Sequence, residues 1–384
     1  MISGAGCWVE RSHARSLDRK AVHLLVTSQL FSPITLRGVT FRNRLWVPAM
    51  CQYSAEKRDG VPTAWHLVHL GSFARGGAGA IVTEAAAVVP EGRISPQDLG
   101  IWNDAQRDAF RPIVDFVHSQ GAKIGVQLAH AGRKASTPRT WEEQVGTLDE
   151  AHHGWPTVGP SAVAFDGYDV PRALSADEVR AVIDAFVAAA VRSRDAGFDF
   201  VELHAAHGYL LHQFLSPLSN ERTDEYGGSL ENRARPVLEI VKGIRATLGE
   251  DFPILVRFSA TDWLEGAWDE HDTARVASWA KEAGADLFDI SSGGNAAAKI
   301  PVGLGYQVPL AESVRREGDV ETGAVGLIVG AQQAEEIVSS GRSDVVFVGR
   351  EFLRDPHFAL RAAFELGVEL DYFPQQYHRA PFHA

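Results

Sequence analysis

A chain of 384 residues is long enough for one large α/β domain or two ordinary ones, and 45% hydrophobic with 22% charged residues is a globular composition. A formal net charge of −12, from 37 basic and 49 acidic residues, argues against a nucleic-acid partner, which needs a broad basic face, and no run of about 20 apolar residues offers a membrane span. Two cysteines, Cys7 and Cys51, cannot build a disulfide framework or hold a cysteine-ligated cluster, and they point to a reducing cytoplasm.

Residues 1–29 stand apart. They mix Arg11, Arg15, Arg19 and Lys20 with His13 and His23 and have little apolar period. The run from Val22 to Val26 is too short for a signal-peptide core. This stretch reads as a disordered arm or an upstream extension, and residues 30–384 as one domain. Phe31 to Arg44 alternates and carries turn residues, which predicts a short hairpin closing something off.

From there one pattern repeats: a short apolar run, a polar loop, a helical stretch. The apolar runs are Leu45–Met50, Ala80–Glu84, Lys123–Leu128, Phe198–Leu203, Pro253–Arg257, Asp286–Ile290, Ala324–Val329 and Asp344–Val348. Helices are predicted at 66–75, 104–120, 175–196, 230–248, 272–283 and 331–340, with a less regular one near 310–316. Ser175-Ala-Asp-Glu178 is a capping box, and Gly121, Gly197, Gly249, Gly284 and Gly341 are stop signals. Eight strand–helix units with nearly continuous apolar strands predict a parallel sheet buried on both faces, closed as a TIM (β/α)8 barrel. An open doubly wound sheet usually carries Gly-x-Gly-x-x-Gly after its first strand, and Cys51-Gln-Tyr-Ser54 has no glycine. Residues 132–173, with Pro138, Pro156, Pro160 and Pro171, are too long for a βα loop and predict an ordered excursion over the barrel mouth.

Barrel chemistry sits on the loops after the strands. Those positions hold Cys51 and Tyr53, then Glu84-Ala85, Gln127 with His130, then His204, His207 and Tyr209. They continue with Arg257, Ser291-Ser292-Gly293-Gly294, Gly330 and Gly349-Arg350. Backbone N–H groups at Gly330 and Gly349, with the Arg350 guanidinium, predict a phosphate site after strands seven and eight. Gln127 and Arg257 suit the carbonyls and ring nitrogens of a flat ring, so flavin mononucleotide (FMN) fits. His204-x-x-His207 can also be read as a metal pair completed by His212 or Glu202. Singly, Cys51 reads as a small buried hydrophobe and Tyr209 as a core tyrosine.

Five segments in order carry a resemblance. They are Pro48-Ala-Met-Cys51-Gln-Tyr53, Gln127-Leu-Ala-His-Ala-Gly-Arg133, His204-Ala-Ala-His207-Gly-Tyr209, Asn220 to Arg233 and Val348-Gly-Arg350. Together the chain from Leu30 to Arg379 resembles the Old Yellow Enzyme family, and Cys51 resembles its thermophilic-like, xenobiotic-reductase-like bacterial branch. The resemblance implies an FMN-dependent ene reductase using NADPH or NADH to reduce small activated alkenes. It implies that Pro48, Ala49, Met50, Cys51, Ala85, Gln127 and Arg257 line or bind the flavin ring system and that Gly349 and Arg350 bind its phosphate; Gly293 and Gly330 are further expected cofactor-binding positions. His204 and His207 would hold the substrate's activating oxygen, Tyr209 would protonate the α-carbon, and Tyr53 would contact substrate. Arg379 matches a C-terminal arginine that reaches a neighbouring site in a homodimer or homotetramer. No metal, nucleic acid or membrane is expected. Longer relatives with an iron–sulfur cluster need more cysteines than this chain has.

Overall fold

In a computed structural model the described residues are 28–382. Most of the expected N-terminal arm therefore lies outside the described residues. Where description begins, the backbone N–H groups of Gln29 and Leu30 donate to the Glu335 carboxylate at 2.9 and 3.0 Å.

The eight apolar runs form eight parallel strands: Leu45–Trp46, Ala80–Ala87, Lys123–Ala129, Phe200–Ala205, Ile254–Ser259, Leu287–Ser291, Thr322–Ala324 and Val345–Phe347. Each pairs with its sequence neighbour from the second to the eighth, and the eighth pairs with the first. A bridge between Val47 and Ile81 joins the first strand to the second. There Val47 N–H donates to Ala80 and Val82 N–H to Val47, both at 2.9 Å. The expected barrel is thus the fold. A two-residue strand, Leu99–Gly100, adds beside the second strand.

Two strands differ from expectation. The first stops early because Pro48 has no N–H to offer a ladder. The seventh is Thr322–Ala324 rather than 324–329, since Gly326 (φ +118°) and Leu327 (φ +51°) turn the backbone out of extended geometry. The helix Ala176–Ala196 starts at the Ser175 capping box and stops at Gly197 in the left-handed region, as its sequence dictates. The terminal helix Phe358–Glu365 and the short helix Leu210–Leu215 were not predicted.

The hairpin, Ile34–Leu36 with Val39–Phe41, plugs the amino end of the barrel. Its Ile34, Leu36 and Phe41 pack with Trp46, Ala80, Phe200, Leu255, Leu287 and Val345, residues near the starts of their strands. Phe41 and Trp46 ring centres lie 4.4 Å apart. Phe200 fills this floor so closely that a Cβ on Gly125 would fall 2.2 Å from its ring.

Above the floor the period-two alternation of strands stacks layers toward the mouth. Strand four carries Phe200, Glu202 and His204 at alternate positions, strand five Leu255, Arg257 and Ser259, and strand six Leu287, Asp289 and Ser291. An apolar floor, a charged middle layer and a polar rim follow in that order. The excursion after strand three holds two 3-10 turns, Gly132–Lys134 and Glu150–His152, and a parallel pair, Val158–Gly159 with Arg172–Ala173.

Candidate active site

The rim is built around the end of strand four. His204 is buried on the strand, while His207 (φ +58°) and Gly208 (φ +73°) turn the chain back before Tyr209 caps the helix Leu210–Leu215. The turn brings the three rings together. His204 and His207 centroids are 5.1 Å apart at 87°, and His204 and Tyr209 4.9 Å apart at 77°. His204 Nε2 faces His207 Nδ1 at 3.4 Å. The outer nitrogens are engaged: Ala206 N–H donates to His204 Nδ1 at 3.3 Å, and His207 Nε2 lies 2.7 Å from Ser291 Oγ. With the Ser291 hydroxyl donating, both neutral rings carry their proton on the facing nitrogen. Burial, then the charge of Arg257, holds both imidazoles well below their usual range, so they stay neutral. In those tautomers two N–H donors stand side by side at the rim, the type of donor pair that can stabilise an oxyanion. Burial and the neighbouring Cys51 push the Tyr209 phenol up, which keeps its proton on.

Lys134, which sequence reasoning did not single out, ties this corner to the next strand end. Its ammonium donates to the carbonyls of His207 and Gly294, each at 2.8 Å, and sits 5.2 Å from the Tyr209 ring centre. Burial lowers it to about 8. It is the residue immediately after the Gln127–Arg133 segment. The third ligands considered for a metal are engaged elsewhere. His212 pairs with Asp262 at 3.2 Å and accepts the Gly208 N–H, while Glu202 accepts from Gln127. Among the described residues no group of three His, Cys, Asp or Glu side chains could hold a metal ion.

Cys51, Tyr53, Ala85 and Tyr209 share one small cluster with Ile94, Ala129, Ala131, Ala135 and Trp155. Burial pushes the Cys51 thiol and the Tyr53 phenol up, so both stay protonated. The excursion closes over this cluster. Trp141 packs edge-on to Tyr53 at 5.9 Å, and Arg139 pairs with Glu56 at 3.0 Å. The cavity left beneath, about 290 Å³, is lined by Tyr53, Ile94, Lys134, Thr137, Tyr168 and Tyr209.

On the other side of the mouth a second cavity of about 220 Å³ is lined by Ser291, Gly326, Leu327, Val329, Gly349 and Arg350. Gly330 is the N-cap of the helix Ala331–Ser339, without a capping side chain, and nothing would meet a Cβ there. Gly349 likewise precedes an uncapped turn, Arg350–Arg354. Unclaimed first-turn N–H groups beside an exposed guanidinium make an anion cradle.

Gln127 stands on strand three and Arg257 on strand five. Ala85 pairs in register with Gln127 on the neighbouring strand. Gln127 Nε2 donates to Glu202 at 2.7 Å, and Arg257 Nε stands 2.8 Å from Asp289, leaving part of each head group unclaimed. Pro48, Ala49 and Met50 follow the first strand, and Ala49 carbonyl accepts a long contact from Arg257 at 3.4 Å. Gly293 follows strand six; its N–H donates to the Thr261 carbonyl and its own carbonyl accepts from the Ser259 hydroxyl, both at 2.8 Å. Arg379 is exposed on a tail that packs through Tyr372 against Asn43 and Arg42, near the amino end of the first strand.

Residues 29–369 match the NADH:flavin oxidoreductase / NADH oxidase family. The chain belongs to this family. It is 47% identical over 352 residues to an NADPH dehydrogenase of Bacillus subtilis (strain 168), covering 91% of this chain and 98% of that one. The structure of an old yellow enzyme homologue from Zymomonas mobilis superposes with TM-score 0.73 at 30% identity, over 90% of this chain and 97% of that one. A complex of 2-naphthoyl-CoA reductase superposes with TM-score 0.79 at 27% identity, over 88% of this chain; the chain spans about half, 52%, of that reductase. The family's flavin fits the residues present. The uncapped helix start at Gly330 with Gly349 and Arg350 offers donors for the FMN phosphate, and the free edges of Gln127 and Arg257 offer donors for the ring.

Proposed function

We propose that this family member is an NADPH-dependent ene reductase acting on α,β-unsaturated carbonyl or nitro compounds. The observation that carries this is the approach of His204 Nε2 to His207 Nδ1 with the Tyr209 ring alongside. With FMN bound, the chemistry available is hydride transfer, from NADPH in one half-reaction and to the alkene β-carbon in the other. The chain's own residues do the rest. The two imidazole N–H groups bind the carbonyl or nitro oxygen and stabilise the charge that builds there, with about 3–4 kcal/mol per donor in comparable cases. Their neutrality matters, because a donor that gave up its proton would quench that charge prematurely. Tyr209 holds a proton at its phenol oxygen and delivers it to the α-carbon. Lys134 fixes the loop that carries His207 and Tyr209. Trp141 packs edge-on against Tyr53 beside the cavity.

The deciding experiment is anaerobic. The purified chain should show a flavin absorption band that NADPH bleaches and 2-cyclohexenone restores. Tyr209→Phe should bleach normally and regain colour with the enone at least about a hundredfold more slowly. A band that only oxygen restores would overturn alkene reduction and leave the flavin. No band after FMN is supplied would overturn both.

A further inference from the structure

The charged layer beneath the rim holds two buried carboxylates, Glu202 and Asp289, that the function above leaves without a role. Glu202, Asp289 and Arg257 sit inside the barrel with Gln127, and the two carboxylates are fully buried while Arg257 is 7% exposed. Arg257 pairs in register with both His204 and Asp289 on the flanking strands. Its Nε is 2.8 Å from Asp289 Oδ2, off the line of a hydrogen bond. Glu202 faces Gln127 across the strand three–four ladder, and Gln127 Nε2 donates to its Oε1 at 2.7 Å. Glu202 Oε2 has no partner.

The charges do not balance as drawn. One guanidinium against two carboxylates leaves the layer at −1 in a dry interior. An unpaired buried carboxylate is held several kcal/mol above its acid form, so one carboxyl must carry a proton. Asp289 has the guanidinium as its direct partner, while the direct partner of Glu202 is the Gln127 amide. Of the other groups acting on Glu202, Arg257 favours its charge without pairing with it, Asp289 repels that charge, and His204, one layer above, is neutral. Burial, then the Asp289 charge, pushes the Glu202 carboxyl up, and Arg257 and the Gln127 hydrogen bond offset this only in part; Asp289, offset by Arg257, is pushed up by burial alone. The pair titrates as one unit.

We infer that Glu202 is a neutral acid at working pH and that, with Asp289, it is a positioning residue for the flavin ring: Asp289 aims Arg257, Glu202 aims the Gln127 amide, and the single proton they share keeps the layer beneath the ring at zero net charge. This rests on the flavin reading above. It accounts for two carboxyl side chains in the middle of fully buried strands. It also makes the layer self-adjusting. If Asp289 is removed, Glu202 ionises in its place and Arg257 keeps a counter-charge.

The test measures how strongly each holoenzyme prefers reduced to oxidised FMN, from the midpoint potential. Glu202→Gln replaces a neutral acid with a neutral amide and should change that preference less than about twofold. Asp289→Asn should change it little, because Glu202 releases its proton. The double variant leaves Arg257 uncompensated and should raise the preference for the more negative, reduced ring roughly tenfold or more, well beyond the sum of the single effects. A rise in Glu202→Gln as large as in the double variant would mean Glu202 is ionised and would overturn the inference. The infrared spectrum of the full chain, with and without its flavin, decides the same point independently. A protonated-carboxyl C=O band, shifted by deuterium and by 13C-glutamate, should be present at neutral pH and absent in Glu202→Gln. Its absence from the wild type overturns the inference even if no variant folds. If the chain took up no FMN, the functional reading would fail while the carboxyl band still reported on Glu202.

Discussion

His204 Nε2 and His207 Nδ1 face each other across 3.4 Å, and each ring has its other nitrogen already engaged, one by the Ala206 N–H and one by the Ser291 hydroxyl. With those partners donating, both facing nitrogens carry their protons, and in the function proposed above the pair donates to a third atom, the substrate oxygen. Replacing either histidine with alanine is expected to slow the alkene half-reaction about 100- to 1000-fold. Ser291→Ala touches neither ring's position but frees the His207 tautomer, and about a tenfold loss is expected. Both imidazoles are held below their usual range, so the half-reaction rate should stay flat as pH falls through about 6.5, the value for an unperturbed histidine. Stopped-flow reoxidation of the reduced enzyme by an enone across pH checks all three. A rate that falls with a midpoint near that of free imidazole would show the pair titrating and sink the neutral-donor arrangement.

Arg350 and Val329, the residue before the uncapped helix start at Gly330, line the same cavity from two different loops. A charge-assisted contact to phosphate contributes about 1.5–3 kcal/mol. Arg350→Met should therefore weaken FMN binding by roughly 10- to 100-fold. Alkene reduction at saturating FMN should be nearly unchanged, since the side chain is far from His204 in chain and role. Fluorescence titration of the flavin-free chain gives the dissociation constant. An unchanged constant would place the phosphate elsewhere.

Arg379 has no place in its own barrel mouth, because the tail that carries it is anchored through Tyr372 to Asn43, which precedes the first strand. We propose that it serves the site of a neighbouring copy. A mixed oligomer distinguishes this from a local role. Arg379→Ala subunits with native Tyr209 should regain activity when mixed with Tyr209→Phe subunits that carry native Arg379, because one complete site forms per mixed pair. No recovery in verified mixed oligomers would rule out exchange between subunits.

The sequence made the barrel legible because each strand is a short apolar run and each long helix carries its own start and stop chemistry, as at Ser175 and Gly197. The rim was legible because polar residues interrupt those runs at their carboxyl ends. The middle layer was not. Glu202 and Asp289 are charged residues inside apolar runs, and only the closed barrel shows that alternate positions of three adjacent strands place them around Arg257. That alternation, Phe200-x-Glu202-x-His204 repeated as Leu255-x-Arg257-x-Ser259 and Leu287-x-Asp289-x-Ser291, was the available signal. Lys134 was missed because its role depends on carbonyls of residues 207 and 294, far away in the chain. The seventh strand was misplaced because apolar residues 325–329 follow a strand of only three residues, and Gly326 and Leu327 take left-handed backbone that composition does not announce.

His130 supplies a stability test that is separate from catalysis. It is 1% exposed, and its Nδ1 accepts the Gly132 N–H at 3.0 Å, fixing the first turn of the excursion. Burial holds the imidazole down at about 4. The folded state therefore binds its proton less readily than the unfolded chain, whose histidine titrates near 6.5. Above about pH 6.5 both states are neutral and the full stability is present. As pH falls the unfolded state gains a proton that the folded state refuses, so stability is lost from about 6.5 down to the folded value, by up to about 3 kcal/mol. His130→Asn keeps an acceptor for Gly132 and cannot titrate. The variant should be less stable than wild type at pH 7 through lost packing, and that gap should narrow steadily toward pH 4. Denaturant midpoints at four pH values between 7 and 4 measure it. A gap that stays constant would mean His130 gains its proton in the fold as easily as in the unfolded chain, and that the turn at Gly132 is held by something other than a neutral imidazole.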